Sequence, residues 1–303
     1  MNIGRYAPSP SGDLHVGNLR TGMIAWLSAH HGGGHLRLRI DDLDPRVSST
    51  EHEASQREDL ASIGITFDGP ELRQSARTEA YLDAITTLTD RDMVYPCFCS
   101  RREVREAAAA PHVHLPEGAY PGTCRDLSSA EREQRAISRP AALRVRTNNV
   151  EVEFVDRHFG QRTELVDEFV IQRNDGVASY NLATVLDDEV QEVTEVVRGA
   201  DLLAGTARHV WLRHVLDLTP VEHAHVPLVM NDSGERLAKR DGAVTLADLA
   251  ALGVDADRVR ARLAESLDLA EPGERPTMHD LLDRFDPTAL PREPSTWTAP
   301  PLP

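Results

Sequence analysis

Arg5-Tyr6-Ala7-Pro8-Ser9-Pro10-Ser11-Gly12-Asp13-Leu14-His15-Val16-Gly17-Asn18 is the stretch on which the fold class turns. Asn2 to Tyr6 has the composition of a short strand. It enters a loop of small residues, Pro and Gly, and from Leu19 the apolar positions Leu19, Met23, Trp26 and Leu27 keep the three-to-four spacing of an amphipathic helix, apolar on one side. A strand, a small-residue loop and a helix N-terminus form a place where backbone N–H groups and the helix dipole can meet an anion. His15 and Asn18 would add side-chain donors there. An ordinary βα turn has the same spacing, so the spacing alone leaves both readings open.

The residue pattern itself, Arg-x-Ala-Pro-Ser-x-Ser-Gly-x-Leu-His-Val-Gly-Asn, resembles the glutamate-specific branch of the class I aminoacyl-tRNA synthetases, with His15 to Asn18 in the place of the HIGH signature. The resemblance implies an α/β fold with a doubly wound, Rossmann-like parallel sheet. It also implies ATP bound at His15, Gly17 and Asn18, with Mg²⁺ accompanying the nucleotide, and L-glutamate bound at Arg5, Ala7 and Ser9.

Composition narrows the class further. The 303 residues, 40% hydrophobic, give ample chain for a core and read as a globular protein with a Pro-rich tail. No apolar run approaches membrane-spanning length and the N-terminus has no signal-peptide pattern, so a cytoplasmic location and no membrane partner are expected. The net charge of −16 argues against a general nucleic-acid coat. Locally the balance reverses: Cys97 to Asn149 holds nine Arg against six Asp plus Glu, enough for one face of an RNA site or for a solvated Arg-rich surface.

Of the 33 basic residues only Lys239 is a lysine. A chain that writes Arg wherever a positive charge suffices has reason for a compact ammonium where it keeps Lys. Arg236-Leu237-Ala238-Lys239-Arg240 resembles the second family signature, the KMSKS loop, with Arg for its first Lys and Ala for its Ser. By that resemblance Lys239 contacts the ATP phosphates and, with His15, is catalytic.

His35 to Asp41 alternates as a strand and ends in the acids Asp41, Asp42 and Asp44, where open α/β sheets place ligands. Such acids can equally cap the next helix. In the family the position of Asp41 is usually Glu and holds the α-amino group of glutamate; Asp is one methylene shorter. Glu51 to Ile63 and Thr78 to Arg91 read as helices, followed by a strand from Val94 to Phe98.

Cys97, Cys99 and Cys124 are the only cysteines. An odd number in a reducing compartment argues for a metal or for free thiols. Three thiolates and a fourth ligand would complete a structural zinc site, and chemistry alone favours His112 or His114 as the fourth. Cys-x-Cys followed by Tyr-x-x-x-Cys instead resembles the zinc site of the truncated glutamyl-queuosine synthetases, which implies Cys97, Cys99, Tyr120 and Cys124 around Zn²⁺.

Ala142 to Arg146 and Val150 to Val155, joined by Thr147-Asn148-Asn149, read as a hairpin. Glu168 to Gln172 and Ser179 to Leu186 read as two strands or as a strand and a helix. Segments around Tyr180 and Arg198 resemble the parts of the family that complete the glutamate pocket, with Tyr180 walling it and Arg198 facing a carboxylate. Two guanidiniums, Arg5 and Arg198, suit a dicarboxylate. Glutamine would leave a buried charge unpaired. A last strand, His225 to Met230, delivers the Lys239 loop.

Val259, Leu263 and Leu267 mark one later helix, and Thr277 to Phe285 another with Thr277 as its N-cap. The Pro-rich end is expected along the surface, anchored by Trp297. The expected organisation is a first sheet half (1–96), a zinc-bearing insertion (97–173), a second half with the KMSKS-like loop (174–240) and a short helical region with the tail (241–303). That last region is too short for the anticodon-reading domain of a full glutamyl-tRNA synthetase. The resemblance therefore implies the truncated paralogues, monomeric enzymes that attach glutamate to the queuosine base in the anticodon of tRNA(Asp). Two alternatives stay open: a truncated synthetase that charges a tRNA 3′ end, and a non-catalytic synthetase-like module.

Overall fold

The computed structural model describes residues 1–108, 119–237, 241–242 and 244–298. Lys239 with its neighbours Ala238 and Arg240, and the alternative zinc ligands His112 and His114, lie outside the described residues. No helix among the described residues is long and apolar enough to cross a membrane.

The chain begins as β1 (Ile3–Tyr6), α1 (Val16–His30), β2 (His35–Ile40), α2 (Thr50–Ser62), β3 (Leu72–Arg73) and α3 (Thr78–Asp90). There follow β4 (Val94–Cys97), α4 (Arg101–Ala108), α5 (Ser129–Ser138), β5 (Ala142–Val145), β6 (Glu151–Asp156), β7 (Gly160–Leu165) and β8 (Val170–Gln172). The remainder is α6 (Tyr180–Val190), β9 (Glu195–Gly199), α7 (Thr206–Val215), β10 (Glu222–Val226), β11 (Val229–Met230), α8 (Leu246–Ala251), α9 (Ala256–Glu265), α10 (Met278–Arg284) and β12 (Ser295–Thr296).

β1, β2 and β3 form a parallel sheet in that order, and β9, β10 and β6 form another with β7 antiparallel at its edge. The two abut where β9 passes β1: the Thr194 N–H donates to the Ile3 carbonyl at 2.9 Å and Arg5 Nη1 to the Val197 carbonyl at 3.0 Å. That junction is the topological switch point of a doubly wound sheet. β4, β5 and β8 make a separate antiparallel sheet.

The expected hairpin over 142–155 does not form. β5 pairs with β4 and β8, while β6 turns back on β7 and lies parallel to β10. Asn148 and Asn149 do adopt positive φ, as hairpin turns demand, but they turn the chain from one sheet to the other. The last strand is also divided, Pro227 separating β10 from β11. Glu168 to Leu186 resolves into β8 and α6.

α1 is not a surface helix. Val16, Leu19, Arg20 and every residue from Gly22 to Ala29 are buried. One side packs on the sheet; the other is covered by α9 and α10, whose Val259, Leu263, Met278 and Leu281 join the same core. Trp297 closes this core from the C-terminal side under the Arg262 guanidinium, 3.9 Å from its ring. Polar N-caps fix where the helices start: Ser49 for α2, Ser179 for α6, and Thr245 and Thr277 with reciprocal bonds from Asp248 and Asp280. The Asp41–Asp44 cluster does not cap α2, whose N-cap is Ser49; Asp42 instead accepts the Ser75 N–H at 2.8 Å, in the short turn that precedes α3.

Strand alternation gives the sheet two unlike faces. Tyr6, Leu36, Val197, Ala224 and Val226 join the apolar core with α1. The intervening positions carry Arg5, Arg39, Arg198, His223 and His225, all buried. Against them α6 sets Asp188, which meets Arg5 and Arg39, so this face is held by ion pairs and hydrogen bonds; the neighbouring Asp187 turns to Gln74, Arg77 and Tyr81.

Candidate active site

A cleft of about 440 Å³ opens at the carboxyl ends of β1, β2 and β9, over the switch point. Arg5, Ala7, Ser9, His15, Gly17, Asn18, Asp41, Tyr180 and Arg198 all line it. Lys239 lies outside the described residues, but the chain on either side is tied down beside the cleft. The Leu237 N–H bonds to Val229, Arg236 pairs with Asp201 at 2.7 Å, and the Val16 N–H donates to the Val244 carbonyl at 2.9 Å.

His15 is the N-cap of α1. Its Nδ1 accepts the N–H groups of Gly17 (3.1 Å) and Asn18 (3.3 Å), and Asn18 Oδ1 returns a bond to the His15 N–H (3.2 Å). The N–H groups of Gly17 and Asn18 are therefore taken up by the cap itself, and the Val16 N–H by Val244. The capping role leaves Nδ1 without a proton, so the neutral ring carries its proton on Nε2. The loop before it is stapled by Gln56, whose Nε2 donates to the carbonyls of Ser9 (3.0 Å) and Gly12 (2.6 Å).

The charged floor is a network. Arg39 pairs with Asp188 (2.5 Å) and Asp41 (2.7 Å), and Arg5 lies 3.4 Å from Asp188. Burial alone would push the Asp188 carboxyl up, but Arg39 and Arg5 hold it below the usual range. Burial pushes Asp41 up in spite of Arg39. Arg5 is therefore already charge-compensated. Arg198 is different: 5% exposed, it donates only to neutral acceptors and pairs with no carboxylate among the described residues. Its bonds to His225 Nε2 and Thr206 Oγ1 are 2.9 Å; those to Tyr180, His209 and Leu202 are 3.3–3.4 Å. Tyr180 and Leu202 line the cleft, whereas His225 and Thr206 do not. A buried guanidinium without a counter-charge is costly unless a ligand supplies one.

A second hollow shares Ser9, Ser11, Asp41 and Tyr180 with the cleft and runs to the cysteines, past Arg46, Arg101, Arg105, Arg139, Arg144, Arg173 and Arg208. At its far end the sulfur atoms of Cys97, Cys99 and Cys124 lie within 4.8 Å of one another. The Cys99–Cys124 separation is 3.6 Å, and the Tyr120 hydroxyl is 3.4 Å from Cys97 and 3.8 Å from Cys99. A tetrahedral zinc with ordinary bond lengths spaces two sulfurs about 3.8 Å apart and a sulfur and an oxygen about 3.5 Å apart. The donor set fits such an ion. Burial pushes the Cys99 thiol up to about 12 and the Tyr120 phenol above its usual range.

The family model for class I tRNA synthetases (E and Q), catalytic domain, matches residues 3–263. The chain is 51% identical over 292 residues to a glutamyl-Q tRNA(Asp) synthetase of Nocardia farcinica, covering 96% of this chain and 91% of the relative. It is 41% identical to the protein of the same name from Symbiobacterium thermophilum, covering 97% and 95%. The chain belongs to the glutamyl-Q tRNA(Asp) synthetase family. Among solved structures it is similar to a glutamate tRNA ligase from Elizabethkingia meningosepticum in complex with its amino acid, with TM-score 0.84, 26% identity, and coverage of 98% of this chain and 67% of that one. A glutamate-tRNA synthetase of Elizabethkingia anophelis gives TM-score 0.85 at the same identity.

In this glutamyl-Q synthetase family member several residues around the cleft carry no motif. Asp188, which shares its charge between Arg5 and Arg39, sits in Leu186-Asp187-Asp188-Glu189, a run of acids on a helix. Thr206, His209 and His225 hold Arg198. Two polar residues alternating with apolar ones in Glu222-His-Ala-His225-Val were the available signal, but such alternation ordinarily marks a solvated strand face.

Proposed function

We propose that the protein activates L-glutamate with ATP to glutamyl-adenylate and transfers the glutamyl group to the queuosine base in the anticodon of tRNA(Asp), with AMP as the leaving group. Arg198 carries the activation half of this reading, as a buried cation at the cleft wall that has no carboxylate partner among the described residues. The side-chain carboxylate of glutamate replaces the long bonds to Tyr180 and Leu202, Asp41 receives the α-amino group, and Arg5 adds positive potential beneath. The α-carboxylate is ionised at neutral pH and needs no general base. It attacks the α-phosphorus of ATP and pyrophosphate leaves. His15, through Nε2–H, and Lys239 neutralise phosphate charge, while the stapled loop of residues 7–14 holds the two substrates in line. Mg²⁺ enters with the nucleotide.

The transfer half is supported by the relatives' names and by the Arg-lined hollow that meets the cleft at Tyr180 and Asp41. Its far wall, in the 97–173 segment, acts as the RNA-facing insertion. Cys97, Cys99, Cys124 and Tyr120 would hold a Zn²⁺ that folds this segment and takes no part in the chemistry. A tRNA substrate puts the activity in the cytoplasm.

Glutamate-dependent ATP–pyrophosphate exchange tests the first half; its absence would leave only a binding module. Glutamylation of tRNA(Asp) with and without queuosine tests the second, with nuclease mapping of the product. Label on the 3′-terminal fragment would move the assignment to a truncated charging enzyme.

A further inference from the structure

We infer that Asp156 and His225 form a buried positioning pair that holds the Arg198 guanidinium in the orientation needed by the substrate's side-chain carboxylate, and thereby sets the discrimination of glutamate from glutamine. The inference rests on the glutamate pocket proposed above.

Strand register makes the pair. In the parallel ladder of β9 and β10, His225 lies opposite Arg198, and Asp156 ends the next strand, β6. Asp156 Oδ2 is 2.6 Å from His225 Nδ1 and accepts the His225 backbone N–H at 3.1 Å. Its other oxygen accepts the N–H groups of His158 and Phe159, each at 3.0 Å. Four donors lock this carboxylate. A carboxylate only accepts, so Nδ1 carries the imidazole proton and Nε2 offers its lone pair to Arg198 Nε at 2.9 Å. Thr206 Oγ1 accepts from Arg198 Nη2 at 2.9 Å and fixes a second corner of the guanidinium. Asp156, His225 and Thr206 are at most 1% exposed and none lines the cleft.

A guanidinium pinned at Nε and Nη2 cannot swing about its last bond, so its remaining hydrogens stay aimed at one place. A carboxylate there accepts two of them. An amide accepts with its oxygen but sets an NH₂ against the other donor, and a pinned fork cannot turn away to relieve the clash. Both imidazoles on Arg198 are held below their usual pKa by burial, with Arg198 adding to the effect, as neutral acceptors against a cation must be.

The test uses the full-length protein, glutamate binding by calorimetry and pyrophosphate exchange. His225→Phe removes the acceptor at similar volume. Asp156→Asn presents an NH₂ that reverses the imidazole tautomer, turning Nε2–H onto Arg198. Each is expected to raise the Kd and KM for glutamate about 10- to 100-fold, the range for loss of one bond to a charged group. The KM for ATP and kcat at saturation should stay within about threefold, and the glutamate-over-glutamine ratio should fall about tenfold. His225→Gln, which restores an acceptor, should recover part of the loss. In an Arg198→Lys background, His225→Phe should add nothing further. Should His225→Phe fail to fold, Thr206→Val supplies the same reading from the second anchor. Unchanged glutamate affinity in folded variants overturns the inference, as does a loss shared equally by ATP and glutamate, or a full additional loss in the Arg198→Lys background. A wild-type protein that neither binds nor activates glutamate removes the proposed function itself, and this inference with it.

Discussion

His15 Nδ1 accepts the backbone N–H of Gly17 at 3.1 Å, so the signature histidine is bound to the turn that presents it. The glycine is part of the arrangement, because a Cβ at position 17 would lie 3.0 Å from the His15 ring. Gly17→Ala must therefore shift the imidazole by a few tenths of an ångström. Ala gains about 1 kcal/mol of helix propensity, which offsets about as much lost from the cap. Tm is expected to change little while kcat for pyrophosphate exchange falls about tenfold. A large Tm drop with unchanged kcat would show that the cap serves the fold alone.

Lys239 is the only ammonium side chain in the sequence. Lys239→Ala is expected to slow glutamate activation about 100- to 1,000-fold, the scale of one lost transition-state donor. Lys239→Arg should recover little, because a planar guanidinium does not replace a compact ammonium. Exchange at the wild-type rate in the Ala variant would remove the lysine from the phosphate site.

Among the described residues Arg198 has no carboxylate partner, while Arg5 shares Asp188. The two guanidiniums are thus not equivalent. Arg198→Ala should cost glutamate about 100-fold in kcat/KM, and wild-type exchange with glutamine should be lower by at least as much. Arg5→Ala should instead lower Tm, since it leaves Asp188 undercompensated in the interior. Equal exchange rates with the two amino acids would refute the pocket.

Asp59 on α2 titrates where stability can be followed. Burial, with Asp13 and Glu58, pushes its carboxyl up to about 6. A raised carboxyl favours the fold when protonated. That contribution is complete below the unfolded value near 4 and is lost as pH rises through about 6. The partly buried carboxylate therefore costs stability at neutral pH, on the order of 1 kcal/mol after solvent screening. Asp59→Asn should raise the unfolding free energy at pH 7.5 and leave it unchanged at pH 4. An equal gain at both would point to a cause other than charge.

Much of the cleft was legible because the stretch from Arg5 to Asn18 is contiguous and its chemistry is local to one turn. Asp188, which Arg5 and Arg39 share, and His225, which holds Arg198, were not, because they come from α6 and β10, far from those arginines along the chain. Alternation in His35-Leu-Arg-Leu-Arg-Ile40 gave the strand correctly, yet Arg39 is wholly buried against Asp41 and Asp188. Period two separates the faces of a strand without saying whether the polar face meets water or a helix of acids. The α1 pattern failed in the complementary way. Apolar spacing suggested a one-sided helix, and only the docking of α9 and α10 explains why it is buried all round. The missing 142–155 hairpin has the same origin: turn residues report a reversal, and the register is decided by which sheet offers an edge.

The cysteine cluster gives the last expectation. Arg144 stacks 3.8 Å over the Tyr120 ring, Arg135 Nη1 donates to Cys124 Sγ at 3.5 Å, and the Cys124 N–H donates to the Tyr120 hydroxyl at 2.7 Å. These cations and donors favour anionic ligands, and a dication would complete the deprotonation that burial opposes in Cys99 and Tyr120. Three thiolates and a phenolate would close the coordination shell of a zinc ion held there, leaving no open position for substrate. Cys124→Ser should therefore lose zinc, measured by metal analysis of protein prepared metal-replete, and should unfold the region from Cys97 to Arg146 before the rest. Glutamate activation is housed at the switch point between β1 and β9 and should survive in good part. Transfer to tRNA(Asp) should fall further, because the Arg-lined hollow loses its far wall. Equal losses in exchange and transfer would mean that the cluster supports the active site directly. Tyr120→Phe decides the fourth ligand: zinc affinity should drop, and an unchanged affinity combined with loss in His112→Ala would give that position to the histidine.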